Sequence, residues 1–276
     1  MRLDFFQNII NICRGKLLYL SGIADKYIAI ENQKEVKTLV LGSSHATFYQ
    51  TDKNEFNLAT ASQDLYYSYN LYEKYGQNCE NIILTYSVFS KGLCLIKTKE
   101  TELCVLLKEI FGIDYQFKDV AKKKKLCLFE PFYRIQIKKY LKDSTSLKIR
   151  IAKSGESQLM NTVEYIKTRA LKHHKNYQRE QTQLEYIQKF LDKTKENNQK
   201  LILILPPVTS LYKEVLPEGK ELFEHLFEMC EKYNHVKILD FYTSKIFADE
   251  EFFDSDHLNP DGKIKMTEIV RAEILR

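Results

Sequence analysis

Val36-Lys37-Thr38-Leu39-Val40-Leu41-Gly42-Ser43-Ser44-His45 is a short apolar run that stops at a glycine and gives way to small polar residues. Such a run reads as a buried parallel strand, because a strand covered by helices on both faces carries apolar side chains on both. Phe56-Asn57-Leu58-Ala59 follows as a second, very short strand, and Asn81 to Ser87 as the next. Lys200-Leu201-Ile202-Leu203-Ile204-Leu205 is the clearest strand, stopped by Pro206-Pro207, and Val236 to Asp240 is another.

Helical spacing fills the gaps. Ser62-Gln63-Asp64 supplies an N-cap and an acidic first turn ahead of Leu65, Tyr69, Leu71 and Tyr72, with the helix running to about Tyr75. Gln178 to Asn198 places Leu184, Ile187, Phe190 and Leu191 on one face, and Glu218 to Tyr233 turns Leu222, Leu226 and Met229 inward. Gly262 to Leu275 closes the chain as a helix, and residues 3–20 carry apolar side chains near helical spacing. Alternating strands and helices predict a three-layer α/β/α sandwich with a central parallel sheet. Residues 90–177 break the alternation, with many Lys and Tyr and weak periodicity, and are expected to be a mostly helical insertion in a single domain spanning 1–276.

Bulk composition narrows the function. The 276 residues are 44% hydrophobic and 29% charged, which suits a globular chain with a sizeable core. The net charge of +5 is concentrated at Lys122–Lys125 and over 138–149, read as a solvated face, and no groove-reading motif accompanies it, so nucleic acid is not an expected partner. Cys13, Cys79, Cys94, Cys104, Cys127 and Cys230 are scattered with no C-x-x-C pair, as in reduced core thiols of a cytoplasmic protein. Met1 to Leu20 is interrupted by Asp4, Gln7, Asn8, Asn11 and Arg14, so neither a secretory core nor a stable membrane insertion is expected. His173-His174, His225 and His235 lack ligand spacing, and no metal or other cofactor is expected.

Chemistry concentrates at the two ends. In an open α/β sheet, ligands bind at the carboxyl ends of the strands, where Gly42-Ser43-Ser44 presents a serine and leaves backbone N–H groups for a developing oxyanion. No Gly-Lys-Ser/Thr follows, which weighs against a phosphate loop. Asp254-Ser255-Asp256-His257-Leu258-Asn259-Pro260 puts a carboxylate three residues before a histidine, close enough to fix its tautomer. Asp256 is expected to point away, and Asn259-Pro260-Asp261-Gly262 to turn the chain into the last helix. Nucleophile, base and orienting acid thus occur in the order Ser…Asp…His. The Tyr66, Tyr67, Tyr69, Tyr72 and Tyr75 cluster is expected to be packing, although tyrosines also stack on sugar rings.

With these residues in view, the chain resembles the SGNH or GDSL-type hydrolase superfamily, in a divergent bacterial branch with Gly-Ser-Ser for Gly-Asp-Ser. Leu41-Gly42-Ser43-Ser44 matches the nucleophile block, Phe56 to Ser62 the second block, Asn81 to Ser90 occupies the place of the third, and Asp254 to Gly262 matches the final Asp-x-x-His block. The resemblance implies a flavodoxin-like sandwich with Ser44, Asp254 and His257 catalytic. It implies an oxyanion hole from Ser44, from Ala59 in place of the usual glycine, and from Ser87 in place of the third block's asparagine. His45, Asn57, Tyr86 and Pro207 are the candidate substrate-binding residues, Pro207 lying in a loop similar to that of carbohydrate O-acetyltransferase-like members. The implied activity is an esterase or O-acyltransferase on an acyl, expectedly acetyl, ester of a bacterial polysaccharide or glycoconjugate. Another group transfer in surface-glycan biosynthesis and a catalytically degenerate glycan- or protein-binding domain are the alternatives.

Overall fold

The computed structural model describes residues 22–98, 100–101, 103–116, 120–142, 162–178, 183–217 and 219–276. The helix expected over residues 3–20 and the end of the basic stretch, 143–149, lie outside them. The chain divides into two compact units, one from 35–94 and 156–276 and the other from 1–34 and 95–155.

The larger unit is built on five strands, β1 (Thr38–Leu41), β2 (Glu55–Asn57), β3 (Asn81–Thr85), β4 (Lys200–Leu205) and β5 (Val236–Asp240). All pair in parallel, in the order β2-β1-β3-β4-β5. This is the order of flavodoxin-like doubly wound sheets, in which the winding reverses between β1 and β3 and opens a crevice at their carboxyl ends. The helices in chain order are α1 (22–32), α2 (Leu65–Tyr75), α3 (Leu103–Phe111), α4 (Val120–Lys142), α5 (Val163–Tyr177), α6 (Leu184–Glu196), α7 (Ser210–Lys213), α8 (Gly219–Cys230) and α9 (Pro260–Ile274). The α/β architecture is the one anticipated, and the described part of 90–177 is largely helical, carrying α3, α4 and α5.

Apolar residues fill both faces of the sheet because both are covered. On one, Val40, Ile83, Ile202 and Ile204 pack with Phe48 of the 3-10 turn Ser44–Phe48 and with Met266 and Val270 of α9. On the other, reached by the alternate residues, α2 lies against β1 and α6 against β4. Each fully buried Leu, Ile or Val contributes about 1.5–3 kcal/mol relative to exposure. The tyrosines of α2 are part of this packing: the Tyr72 ring sits 5.3 Å from Phe190, and its hydroxyl donates to Gln199 Oε1 at 2.6 Å.

Two caps place helix ends. Asp64 accepts from Tyr67 N at 3.1 Å, so α2 starts one residue after the last member of the Ser-Gln-Asp triplet. Asn259 accepts from Gly262 N at 3.0 Å with Pro260 opening α9, where a missing N–H costs no hydrogen bond.

In the smaller unit α3 packs on α4. Lys108 Nζ at 3.1 Å and the Tyr115 hydroxyl at 2.5 Å converge on Glu130, and Arg134 forks onto Glu109 at 2.8 and 2.9 Å. No helix among the described residues is long and apolar enough to cross a membrane.

Candidate active site

The position of Ser44 follows from how β1 ends. Gly42 has φ +127°, a conformation side-chain-bearing residues rarely adopt, and a Cβ there would lie 2.2 Å from Thr85 Oγ1 on β3. Ser43 then runs extended and Ser44 starts the 3-10 turn, with Ala46 N donating to Ser43 O at 2.9 Å. Ser44 N–H lies in the first turn, where backbone donors have no partner within the helix. The turn is tied to β2 by Asn57, whose Nδ2 donates to Ala46 O at 2.9 Å and Tyr49 O at 3.3 Å.

The histidine arrives on a loop closed on itself. Phe252 bridges Leu258 in antiparallel fashion, and Phe253 N donates to His257 O at 2.8 Å. Asp254 Oδ1 accepts from Asp256 N at 3.0 Å and from His257 N at 2.8 Å, which turns the carboxylate toward its own loop. Both Asp254 oxygens then lie 2.9 Å from His257 Nδ1. A carboxylate can only accept, so Nδ1 carries the proton and Nε2 offers a lone pair to the Ser44 hydroxyl, 2.8 Å away. Burial raises the Asp254 pKa, but the hydrogen bond and charge of His257 outweigh it and hold the carboxyl below its ordinary value. Thr209 fastens the loop to the end of β4, donating from N at 3.0 Å and Oγ1 at 3.1 Å to Ser255 O.

Asp256 corrects an expectation. It does not point away; it is 2% exposed and sits inside the cluster. Its Oδ2 accepts from His45 Nε2 at 3.1 Å, its Oδ1 from the Ser255 hydroxyl at 2.8 Å, and Arg169 Nε lies 2.5 Å from Oδ1 as an ion-pair contact without hydrogen-bond alignment. Asp256, two residues after His257's partner, turns inward with its backbone N–H captured by Asp254. Burial opposes the Asp256 charge, but His45, His173 and His257 together hold the carboxyl well below its ordinary value. Arg169 is correspondingly raised: burial works against it, and Asp256 and Asp254 overcome burial.

The anticipated residues separate into two groups. Ser44, His45, Pro207, Asp254 and His257 line one cavity of about 240 Å³, with apolar walls that include Phe48, Leu258 and Met266. Asn57, Ala59, Tyr86 and Ser87 do not line it. The Ala59 N–H donates to Asn57 Oδ1 at 2.9 Å, the Ser87 hydroxyl meets His45 Nδ1 at 2.7 Å, and the Tyr86 hydroxyl meets His225 Nε2 at 2.7 Å.

Arg169 and His173 are absent from the sequence-based set. They stand four residues apart on one face of α5, a spacing that could have marked them, but within a stretch lacking clear periodicity. The His173 imidazole is driven down to about 3 by burial, against the pull of Asp256, and its Nδ1 lies 2.6 Å from the Tyr212 hydroxyl. His45, Asp256 and His257 bring possible ligand atoms within 4.8 Å of one another. Their positive counter-charge is already in place as Arg169, and both His257 nitrogens are engaged, so the donor set fits an ion pair better than a metal.

A family model matches residues 81–276, from the first residue of β3 through α9. The chain belongs to this uncharacterised family. The match takes in Arg169, Asp254, Asp256 and His257 and leaves out Ser44 and His45. No curated protein matches the chain.

Proposed function

We propose that the protein is an SGNH-type serine esterase or O-acyltransferase, forming an acyl-enzyme on Ser44. The observation that carries this reading is the continuous relay from Asp254 through His257 to Ser44, with links of 2.9 and 2.8 Å within hydrogen-bond reach of nucleophile and base. The Ser44 hydroxyl attacks the ester carbonyl and passes its proton to His257 Nε2; His257 returns it to the leaving oxygen. Water or a sugar hydroxyl then takes the acyl group, by the same base, giving hydrolysis or transfer. Asp254 holds the Nδ1–H tautomer and balances the imidazolium that forms.

The substrate class proposed is an acyl ester, foremost an acetyl ester, of a polysaccharide or glycoconjugate. The small cavity beside Ser44 and its apolar walls support a short acyl group. A cytoplasmic setting belongs to the same reading, supported by four described cysteines, Cys79, Cys94, Cys104 and Cys230, that are buried and unbridged.

A fluorophosphonate probe and an activated acetyl ester test the proposal. Labelling and turnover should both vanish in Ser44→Ala and in His257→Ala. Turnover unchanged in Ser44→Ala overturns it.

A second reading, a binding domain derived from this enzyme class, is favoured by one observation. Of the three proposed oxyanion donors, the Ala59 N–H and the Ser87 hydroxyl are engaged inside the protein. Losing one such donor typically costs about 10²–10³ in rate. Absence of probe labelling in the intact protein selects this reading.

A further inference from the structure

A second Ser-His-Asp chain lies against the first. Ser87 Oγ meets His45 Nδ1 at 2.7 Å, and His45 Nε2 meets Asp256 Oδ2 at 3.1 Å. Ser87 and His45 are 2% and 6% exposed, so no substrate reaches this serine, and the set does not serve as a second nucleophile. Its placement shows its use. The His45 ring stacks on the His257 ring, centroids 4.9 Å apart and planes 14° from parallel, with Phe89 on His45 at 5.6 Å.

We infer that His45 is a positioning residue that sets the plane of His257, and that Arg169 anchors it through Asp256. The inference rests on the acyl-transfer reading for its kinetic consequences and on geometry alone for the rest. Asp254 and Ser44 hold His257 at its two nitrogens, within the ring plane, and both contacts leave the ring able to tilt about the line joining them. A flat neighbour packed on its face removes that freedom. The plane of His45 is held by its two in-plane hydrogen bonds and by packing against the Phe89 ring. Each partner is itself held: Ser87 N donates to Ser90 Oγ at 2.8 Å, while Asp256 is held by Ser255 and by Arg169.

Arg169 adds a charge to the arrangement, its Nη2 standing 3.3 Å from His257 Nδ1. The charged or titratable groups around His257 are Asp254 and Asp256 from its own loop, His45 from the 3-10 turn, Arg169 from α5 and Lys263 from the cavity wall on α9.

The test uses the full chain with ¹⁵N-labelled histidine. In the wild type His257 should be a pure Nδ1–H tautomer. His45→Ala should keep that tautomer, which Asp254 fixes, but broaden the His257 ring signals as the ring gains freedom to tilt, and lower kcat on an activated acetyl ester about 10–100-fold with KM little changed, since misplacement on the order of 1 Å can cost 10²-fold. His45→Phe, which keeps the flat face and its packing against Phe89, should restore sharp His257 signals and most of kcat. Arg169→Ala, which frees Asp256 and with it His45, should lower kcat toward that of His45→Ala with KM little changed, whereas Arg169→Lys should keep most of kcat. Wild-type His257 line widths and kcat in a folded His45→Ala overturn the inference, as does a His45→Phe as impaired as His45→Ala, or an unchanged kcat in Arg169→Ala. If the wild type turns over no ester and takes no probe, the acyl-transfer reading fails, and the comparison of His257 line widths still decides the role of His45.

Discussion

The Ala59 N–H donates to Asn57 Oδ1 at 2.9 Å, and the same side chain's Nδ2 donates to Ala46 O at 2.9 Å. One amide therefore binds the chain after β2 to the turn that carries Ser44. Asn57→Ala removes three hydrogen bonds in a partly buried place, at about 1 kcal/mol each, so a loss of about 2–3 kcal/mol is expected in urea unfolding. Asn57→Asp keeps the acceptor for Ala59 but loses both donations to the turn. It should slow fluorophosphonate labelling of Ser44 more than its loss of stability explains.

Asp254→Asn tests the orienting carboxylate. An amide can present its NH₂ to His257 Nδ1 and favour the wrong tautomer, so ester turnover should fall on the order of 10⁴-fold. Far-UV circular dichroism should be unchanged. Loss of less than about tenfold sinks the role assigned to Asp254.

The buried neutral histidines predict a fall in stability on mild acidification. His173 is held down to about 3, and burial lowers His45 too, while an unfolded chain protonates histidine near 6.5. A depressed histidine makes the unfolded state bind more protons as pH falls below 6.5, so its stabilisation is full above that pH and declines toward the folded value, by up to about 1.4 kcal/mol per pH unit for each group. Asp254 and Asp256, also depressed, lose their contribution only below about pH 4, under the unfolded carboxylate value. Unfolding free energy should accordingly be lower at pH 5 than at pH 7.5, and His173→Gln should flatten that slope.

Gly42→Ala meets two obstacles, a positive φ and a hydroxyl 2.2 Å from the new Cβ. Backbone strain of this kind costs about 1–3 kcal/mol, and the clash adds to it. Thr85 Oγ1 is buried without a hydrogen-bond partner, so Thr85→Ala gives up no bond while opening room. In the Thr85→Ala background the cost of Gly42→Ala should drop but not vanish. Additivity of the two changes, measured as a double-mutant cycle, contradicts the contact.

How much of this could be read from the chain varies by element. β1, β3 and β4 stand out because apolar runs such as Lys200–Leu205 record burial on both faces, and helices such as α9 because their caps are local, whereas the edge strands β2 and β5 are only partly buried. Ser44, Asp254 and His257 were visible through spacing within single loops. Asp256 was misjudged because its direction depends on which hydrogen bonds its neighbours make, and adjacency alone gives the opposite reading. Arg169 and His173 were missed because their approach to the site depends on the packing of α5, which leaves little trace in composition. The internal partners of Ala59 and Ser87 are likewise tertiary facts, fixed by where Asn57 and His45 come to rest.

Ser44 and His257 are 213 positions apart, and their meeting imposes an order on events in time. Ser44 precedes the His257 loop in the chain, and that loop is tied through Ser255 to Thr209, just beyond β4. Closing so long a segment is entropically costly and waits on the contacts in between. On the acyl-transfer reading Ser44 stays unactivated until that loop docks, and its labelling by a fluorophosphonate becomes a clock for the completion of folding.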